Sequence, residues 1–206
     1  KLGKPELQSE LLDPHTQNQM HVYEKNIEHF IGTVKLPVGL AGPLRVNGLF
    51  ANDDYLVPLA TTEAALVASY NRGAQLLTAS GGASAMLLNE GVTRTPAFAF
   101  FGLAEAGQFV AWAVTQYDTF KQLAESTTSH GKLSDINISI EGNHVYLVFE
   151  FLTGDASGQN MVTIATNAVF SYIMENSPIT PENAYLDGNL SGDKKASSQT
   201  LRSVRG

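Results

Sequence analysis

Three groups of polar residues have types and spacings that could do chemistry. The first centres on Glu63, within residues 59–73 (LATTEAALVASYNRG). Thr61 or Thr62 suits a helix N-cap, which places Glu63 in the first turn, and five apolar residues follow from Ala64 to Ala68. A helix N-terminus favours the carboxylate, whereas burial favours the acid. A buried Glu63 would be a proton donor at neutral pH; a half-exposed one would be a cap. The second group is residues 153–161 (TGDASGQNM), between a strand end and a helix start. Gly154 and Gly158 free the backbone, and the unpaired amides of a helix start attract phosphate. Asp155 would repel phosphate and suits ribose hydroxyls or a carboxamide, or caps the helix. The third is residues 187–195 (DGNLSGDKK), a charge-dense loop. A lysine ammonium stabilises a developing oxyanion when held dry and oriented, and a solvated surface turn is the plainer alternative.

The elements that position these groups follow from patterning. Residues 1–15 form a polar arm or short helix, and residues 19–30 a candidate helix ending near Gly32. Residues 36–44 (LPVGLAGPL) carry two prolines and two glycines, which exclude a helix and restrict any strand to an edge. Residues 45–58 read as a hairpin, and the Thr61 helix then continues to about Ala79. The small-residue stretch 80–84 allows close backbone approach to a ligand or merely turns the chain. From Arg94 the pattern becomes regular: a strand over 95–101, and a helix over 105–126 with Phe109, Trp112, Ala113, Phe120, Leu123 and Ala124 in register. A strand follows over 133–140, with a turn at Gly142–Asn143 and a returning strand marked by Val145, Leu147, Phe149 and Phe151. Residues 160–175 give a helix whose stripe is Met161, Ile164, Ala165, Ala168, Val169, Tyr172 and Ile173, and residues 184–190 a closing strand. The order β-α-β-β-α-β is the split βαβ of ferredoxin-like domains. The expected class is α+β: a compact sub-domain over 95–186, flanked by parts of a larger α/β domain over 1–94 and 187–206.

Bulk properties narrow the function. The 206 residues are 43% hydrophobic and 16% charged, with a net charge of −7, which argues against general nucleic-acid binding. Lys194, Lys195, Arg202 and Arg205 nevertheless gather near the end as a local anion site. The absence of cysteine excludes disulfides, a thiolate nucleophile and a thiolate metal site. The five histidines (15, 21, 29, 130, 144) show no paired ligand spacing, so no metal is expected. No apolar run approaches the roughly 18 residues of a membrane span, and the polar start is no signal peptide. The first residue is not methionine and LRSVRG stops abruptly, so the sequence reads as cut.

Taken together, six stretches resemble the 3-hydroxy-3-methylglutaryl-CoA reductase family, in its archaeal and eukaryotic-like class. They are residues 27–44 (IEHFIGTVKLPVGLAGPL), 57–73 (VPLATTEAALVASYNRG), 91–96 (GVTRTP), 128–132 (TSHGK), 154–161 (GDASGQNM) and 188–195 (GNLSGDKK). The resemblance implies reduction of a thioester to an alcohol, giving mevalonate and CoA, with two hydrides from NADPH. It implies that Glu63 protonates the substrate oxygen and that Lys194 stabilises its negative charge. Arg94, Asp187, Asp193 and Lys195 fall where the family holds the hydroxymethylglutaryl carboxylate. Ser69, Asn71 and Arg72 fall in its CoA-contacting helix. Asp155, Gly158, Gln159 and Asn160 fall in its nicotinamide-nucleotide loop. Ser129 lies where NADPH users often have arginine, with His130 and Lys132 as substitutes, so NADH is an alternative cofactor. Also implied are a small ferredoxin-like cofactor domain inserted in a large substrate domain, a cytoplasmic protein, and a homodimer or higher oligomer with shared sites. This sequence departs at Ser157 and Gln159, where methionines are usual, at Asp187, where serine is common, and at His29 in place of asparagine. The family's catalytic aspartate and its histidine lie beyond the DKK motif. A non-catalytic CoA- or nucleotide-binding fragment is therefore the alternative, and a ferredoxin-like regulatory domain with unrelated flanks ranks last.

Overall fold

The computed structural model describes residues 11–23, 27–87 and 90–191, and the chain divides into two compact units, Lys1–Met86 and Leu87–Gly206. The class is mixed α+β.

The first unit opens with two short helices, α1 (Pro14–Asn18) and α2 (Met20–Tyr23). Asp13 caps α1 by accepting from the amides of His15 and Thr16. The single helix expected over 19–30 is not formed: residues 27–29 are bend and turn, and His29 has φ of 53°. A long hairpin follows, β1 (Val38–Gly48) and β2 (Asn52–Ala60), with Asn47 opposite Asn52 at its end. Helix α3 (Leu66–Ala79) leads to β3 (Ala83–Ala85), which runs parallel to Val46–Gly48. The proline-bearing part of β1 pairs with β2 alone, as the edge rule requires of a residue without N–H. Its register shifts between Ala41 and Leu44, around a cis Gly42–Pro43 peptide. Side chains of α3 take up the backbone groups there. Gly42 N–H donates to Asn71 Oδ1 (3.0 Å), Thr78 Oγ1 donates to Pro43 O (3.0 Å), and Arg45 N–H donates to Thr78 Oγ1 (2.9 Å). Gly39 allows the close approach of α3, because a Cβ there would lie 2.7 Å from Val67 Cγ2. Hydrophobic burial in this unit is sparse. Among its described residues only Ala41 and Ala74 are buried apolar side chains, while Leu40, Leu56, Tyr70 and Leu76 are each more than half exposed.

The second unit contains nearly all the core. Its order is β4 (Val92–Arg94), β5 (Ala97–Ala99), α4 (Leu103–Thr115), α5 (Tyr117–Ser126), β6 (Lys132–Glu141), β7 (His144–Leu152), α6 (Gln159–Asn176) and β8 (Asn183–Tyr185). All pairings are antiparallel, and the sheet runs β8-β5-β7-β6, with β4 continuing the β5 side along β7. Alternation on β7 sends Val145, Leu147, Phe149 and Phe151 into a core with Phe98, Phe109, Phe120, Val162 and Ile173. The single helix expected over 105–126 is two helices. Apolar spacing runs through the junction, but Thr115 Oγ1 bonds back to Trp112 O (2.7 Å), and Gln116 leaves helical geometry (φ −98°, ψ 7°). On α6 the buried stripe is Val162, Ala165, Thr166, Val169 and Ile173; Ile164, expected inside, is 60% exposed. The closing strand is three residues long and ends at Tyr185.

Candidate active site

Glu63 occupies a different setting from the one its sequence suggests. Thr61 remains tied to the sheet, its N–H donating to Pro37 O (3.1 Å), and its hydroxyl accepts from Glu63 N–H (3.0 Å). That local turn competes with helix formation, and α3 begins only at Leu66, after Ala65 in the left-handed region (φ 64°). Neither Thr61 nor Thr62 caps the helix, and Glu63 is exposed one turn before it. The burial that would make it an acid is therefore not supplied within this unit.

On α3, Ser69 lines an apolar cleft of about 520 Å³, with Tyr70, Gly73 and Leu77 from the helix and Ala41, Leu44, Val57 and Leu59 from the hairpin. Asn71 is engaged with Gly42, as above, and Arg72 is exposed. Asn71 thus carries a backbone-satisfying role that helical spacing alone does not reveal. The glycine stretch after α3 is closed: Gly81 O accepts from Asn47 Nδ2 (2.7 Å) and Gly82 abuts Arg45.

In the second unit two expected groups are brought together. Lys132 pairs with Leu152, which sets residues 128–131 beside Thr153. Gly131 packs under Met161, where a Cβ would meet Sδ at 2.7 Å. Ser129 Oγ lies 2.8 Å from His130 Nδ1, and both residues are exposed. Thr128 Oγ1 accepts from the amides of His130 (3.2 Å) and Gly131 (3.1 Å), fixing the turn. Across from it, Thr153 Oγ1 donates to Ala156 O (2.7 Å) and Gly158 takes φ of 73° to start α6. Gly158 offers that helix start no side-chain cap, and no acidic residue lies in its first turn, a setting that favours an anion. Asp155 and Asn160 are exposed and Gln159 is half-buried beside them.

Arg94 and Asp187, 93 residues apart, form an ion pair with Nη1 3.0 Å from Oδ2. Alternating burial could not have announced this contact, because it links the end of β4 to the segment after β8. Asp193, Lys194 and Lys195 lie outside the described residues. Among the described residues no cluster of histidine and carboxylates could hold a metal ion, and no helix is long and apolar enough to cross a membrane.

Comparison with known proteins agrees with the motif pattern. Residues 3–206 match the family described as hydroxymethylglutaryl-coenzyme A reductase. The 3-hydroxy-3-methylglutaryl-coenzyme A reductase of Aeropyrum pernix is 45% identical over 174 residues, covering 84% of this chain and 41% of that protein. That of Methanocaldococcus jannaschii is 42% identical over 187 residues, covering 89% and 46%. The class II reductase of Streptococcus pneumoniae, solved bound to NADPH, shares the fold with a TM-score of 0.65 at 21% identity, covering 89% of this chain and 52% of that one. The chain spans about half the length of the relatives it matches. The match over residues 3–206, together with identities above 40% to these archaeal reductases, places the chain in the hydroxymethylglutaryl-coenzyme A reductase family.

Proposed function

We propose that the protein to which this chain belongs reduces 3-hydroxy-3-methylglutaryl-CoA to mevalonate and CoA, using NADPH. The observation that carries this reading is the neighbourhood of residues 128–132 and 153–161, where the glycine-led start of α6 lies beside two exposed polar turns. In this reading residues 95–186 are the small ferredoxin-like cofactor domain, and residues 1–94 and 187–206 belong to the large substrate domain.

The residues fit a dinucleotide. The αL turn at Gly158 leaves room for a Cβ only by collision with Thr153, so backbone rather than side chain faces the ligand at that point. The first amides of α6 would bind phosphate, Asp155 a ribose hydroxyl or the carboxamide, and Gln159 and Asn160 further polar edges. Ser129 and His130 would take the 2′-phosphate of NADPH, with NADH as the alternative. The cofactor, when bound, supplies the two hydrides. Glu63 would deliver a proton to the substrate oxygen, and Lys194 would hold the negative charge that develops on it. Ser69, Asn71 and Arg72 would contact CoA, and Arg94, Asp187, Asp193 and Lys195 would surround the acyl carboxylate. Because Glu63 is exposed here, its desolvation would come from elsewhere, including a partner copy in a homodimer or higher oligomer with shared sites; a cytoplasmic location completes the reading.

The test is NADPH oxidation dependent on hydroxymethylglutaryl-CoA in the complete protein. Glu63→Gln keeps shape and removes the proton, so it should abolish reduction and leave CoA binding within about twofold. Absence of oxidation in the unmodified protein refutes the assignment, and turnover in Glu63→Gln removes Glu63 from the chemistry. The exposure of Glu63 favours a second reading, a CoA- or nucleotide-binding fragment without turnover. Ligand binding without oxidation in the complete protein would select it.

A further inference from the structure

The start of α3 contradicts its own sequence. Ala64 and Ala65 are strong helix formers, Glu63 suits a first turn, and Thr61 or Thr62 could cap it, so local preference extends the helix to about residue 62. The chain turns instead. Ala65 takes φ of 64°, a conformation unfavourable to any residue with a Cβ, and the helix begins at Leu66. Such strain persists only where surrounding contacts impose it. Two contacts of Thr61 do so here. Its N–H donates to Pro37 O (3.1 Å), which anchors it beside the first residue of β1, and its hydroxyl accepts from Glu63 N–H (3.0 Å).

The turn decides which way Glu63 faces. In continuous helical register, position 63 would share a stripe with Val67 and Ala74, four and eleven residues on. That stripe faces the hairpin: Val67 abuts Gly39, and Ala74 is buried. A helical Glu63 would press its carboxylate towards the hairpin, whereas the observed Glu63 is exposed.

We propose that Thr61 is a positioning residue for the proton donor: its hydroxyl, anchored through Pro37, holds Glu63 off the helix and turned outward, where a thioester oxygen can reach it. The inference rests on the functional reading above, in which Glu63 delivers the proton. Thr61 itself touches no reacting atom. It sets how often Glu63 is correctly placed, so its loss slows the chemical step and leaves ligand affinity alone.

Steady-state kinetics of the complete protein with NADPH and hydroxymethylglutaryl-CoA test this. Thr61→Val keeps the shape and the anchoring N–H but removes the acceptor for Glu63. The expected result is about a tenfold loss of kcat, with KM for both substrates within about twofold. Thr61→Ser retains the acceptor and should stay within about threefold of the unmodified kcat. Adding Ala65→Gly to Thr61→Val favours the left-handed turn over the helix and should raise kcat about threefold above that of Thr61→Val alone. A purely structural role would raise both KM values, and glycine would not repair it. Unchanged kcat in Thr61→Val, a parallel rise in KM, a serine variant as slow as the valine one, or no recovery with glycine overturns the proposal. If Thr61→Val does not fold, Thr61→Ala is read by the same criteria. The two claims fail separately. Turnover that depends on Glu63 but not on the Thr61 hydroxyl defeats only the Thr61 proposal. No oxidation by the unmodified protein defeats the reductase reading, and turnover that survives Glu63→Gln defeats its proton donor; either result removes the role of Thr61 as well.

Discussion

Replacing Gly158 with alanine should unsettle the candidate nucleotide loop by an amount that can be worked out. Gly158 has φ of 73°, a region that costs an L-residue roughly 1–2 kcal/mol. The new methyl would also lie 2.6 Å from Thr153 Cβ, an atom fixed to the backbone that no side-chain rotation can remove. Relief therefore needs the backbone to move, at the expense of the Thr153 Oγ1 bond to Ala156 O, worth about 0.5–1.5 kcal/mol. The sum is roughly 1.5–3.5 kcal/mol, which lowers the melting temperature of a domain of about 100 residues by on the order of 10 °C. The chain's single tryptophan, Trp112, packs between Phe109 and Phe120 in the second unit, so its fluorescence reports that unit's unfolding. Gly142 is the control. It has φ of 62° with nothing within 4 Å of an added Cβ, so Gly142→Ala carries the backbone cost without the collision. Gly158→Ala should melt well below Gly142→Ala and bind nicotinamide nucleotide more weakly. Equal melting of the two variants would refute the collision argument.

Two further predictions concern the first unit. Asn71→Ala leaves the Gly42 amide without its acceptor and should cost about 1–3 kcal/mol, whereas Asn71→Asp retains an oxygen and should cost less. Hydrogen exchange at Gly42 checks this, and equal protection in both variants would contradict it. The amide and hydroxyl of Thr16, bonded to Asp13, hold that carboxyl below its ordinary value, so the cap is fully effective above the usual carboxylate range and is lost as pH falls through the depressed value. Exchange at the Thr16 amide should accelerate over that acid window, and Asp13→Asn should flatten the response; a flat profile in the unmodified chain would exclude the cap.

Much of the second unit was legible because its signals are local and redundant. Alternation at Val145, Leu147, Phe149 and Phe151 fixes which face of β7 is buried, and Gly142–Asn143 fixes the turn before it. Where reading failed, one side-chain bond overrode a period. The Thr115 hydroxyl interrupts a helix whose apolar spacing continues across Gln116, and the Thr61 hydroxyl delays α3 past Glu63. The stripe of α6 was displaced by one position. Val162 and Thr166 are inside and Ile164 is outside, because hydrophobicity alone ranks isoleucine above threonine. At the candidate site, the glycines of residues 153–161 marked a special backbone conformation, and Gly158 adopts one. The exposure of Glu63 was not legible, since it follows from the late start of α3 at Leu66. Patterning did not reveal the Arg94–Asp187 pair, whose partners are distant in sequence, but the resemblance had set both residues at one site, and they do meet.

The uneven distribution of hydrophobic burial has a consequence for biosynthesis. Residues 11–86 leave the ribosome before the second unit, carrying an apolar cleft and few buried apolar side chains among the described residues. At a translation rate of about 5–20 residues per second, that surface waits roughly 5–20 s before the segment that encloses the phenylalanine-rich core has been made. Holdase chaperones should therefore engage the nascent chain while its length lies between these two limits.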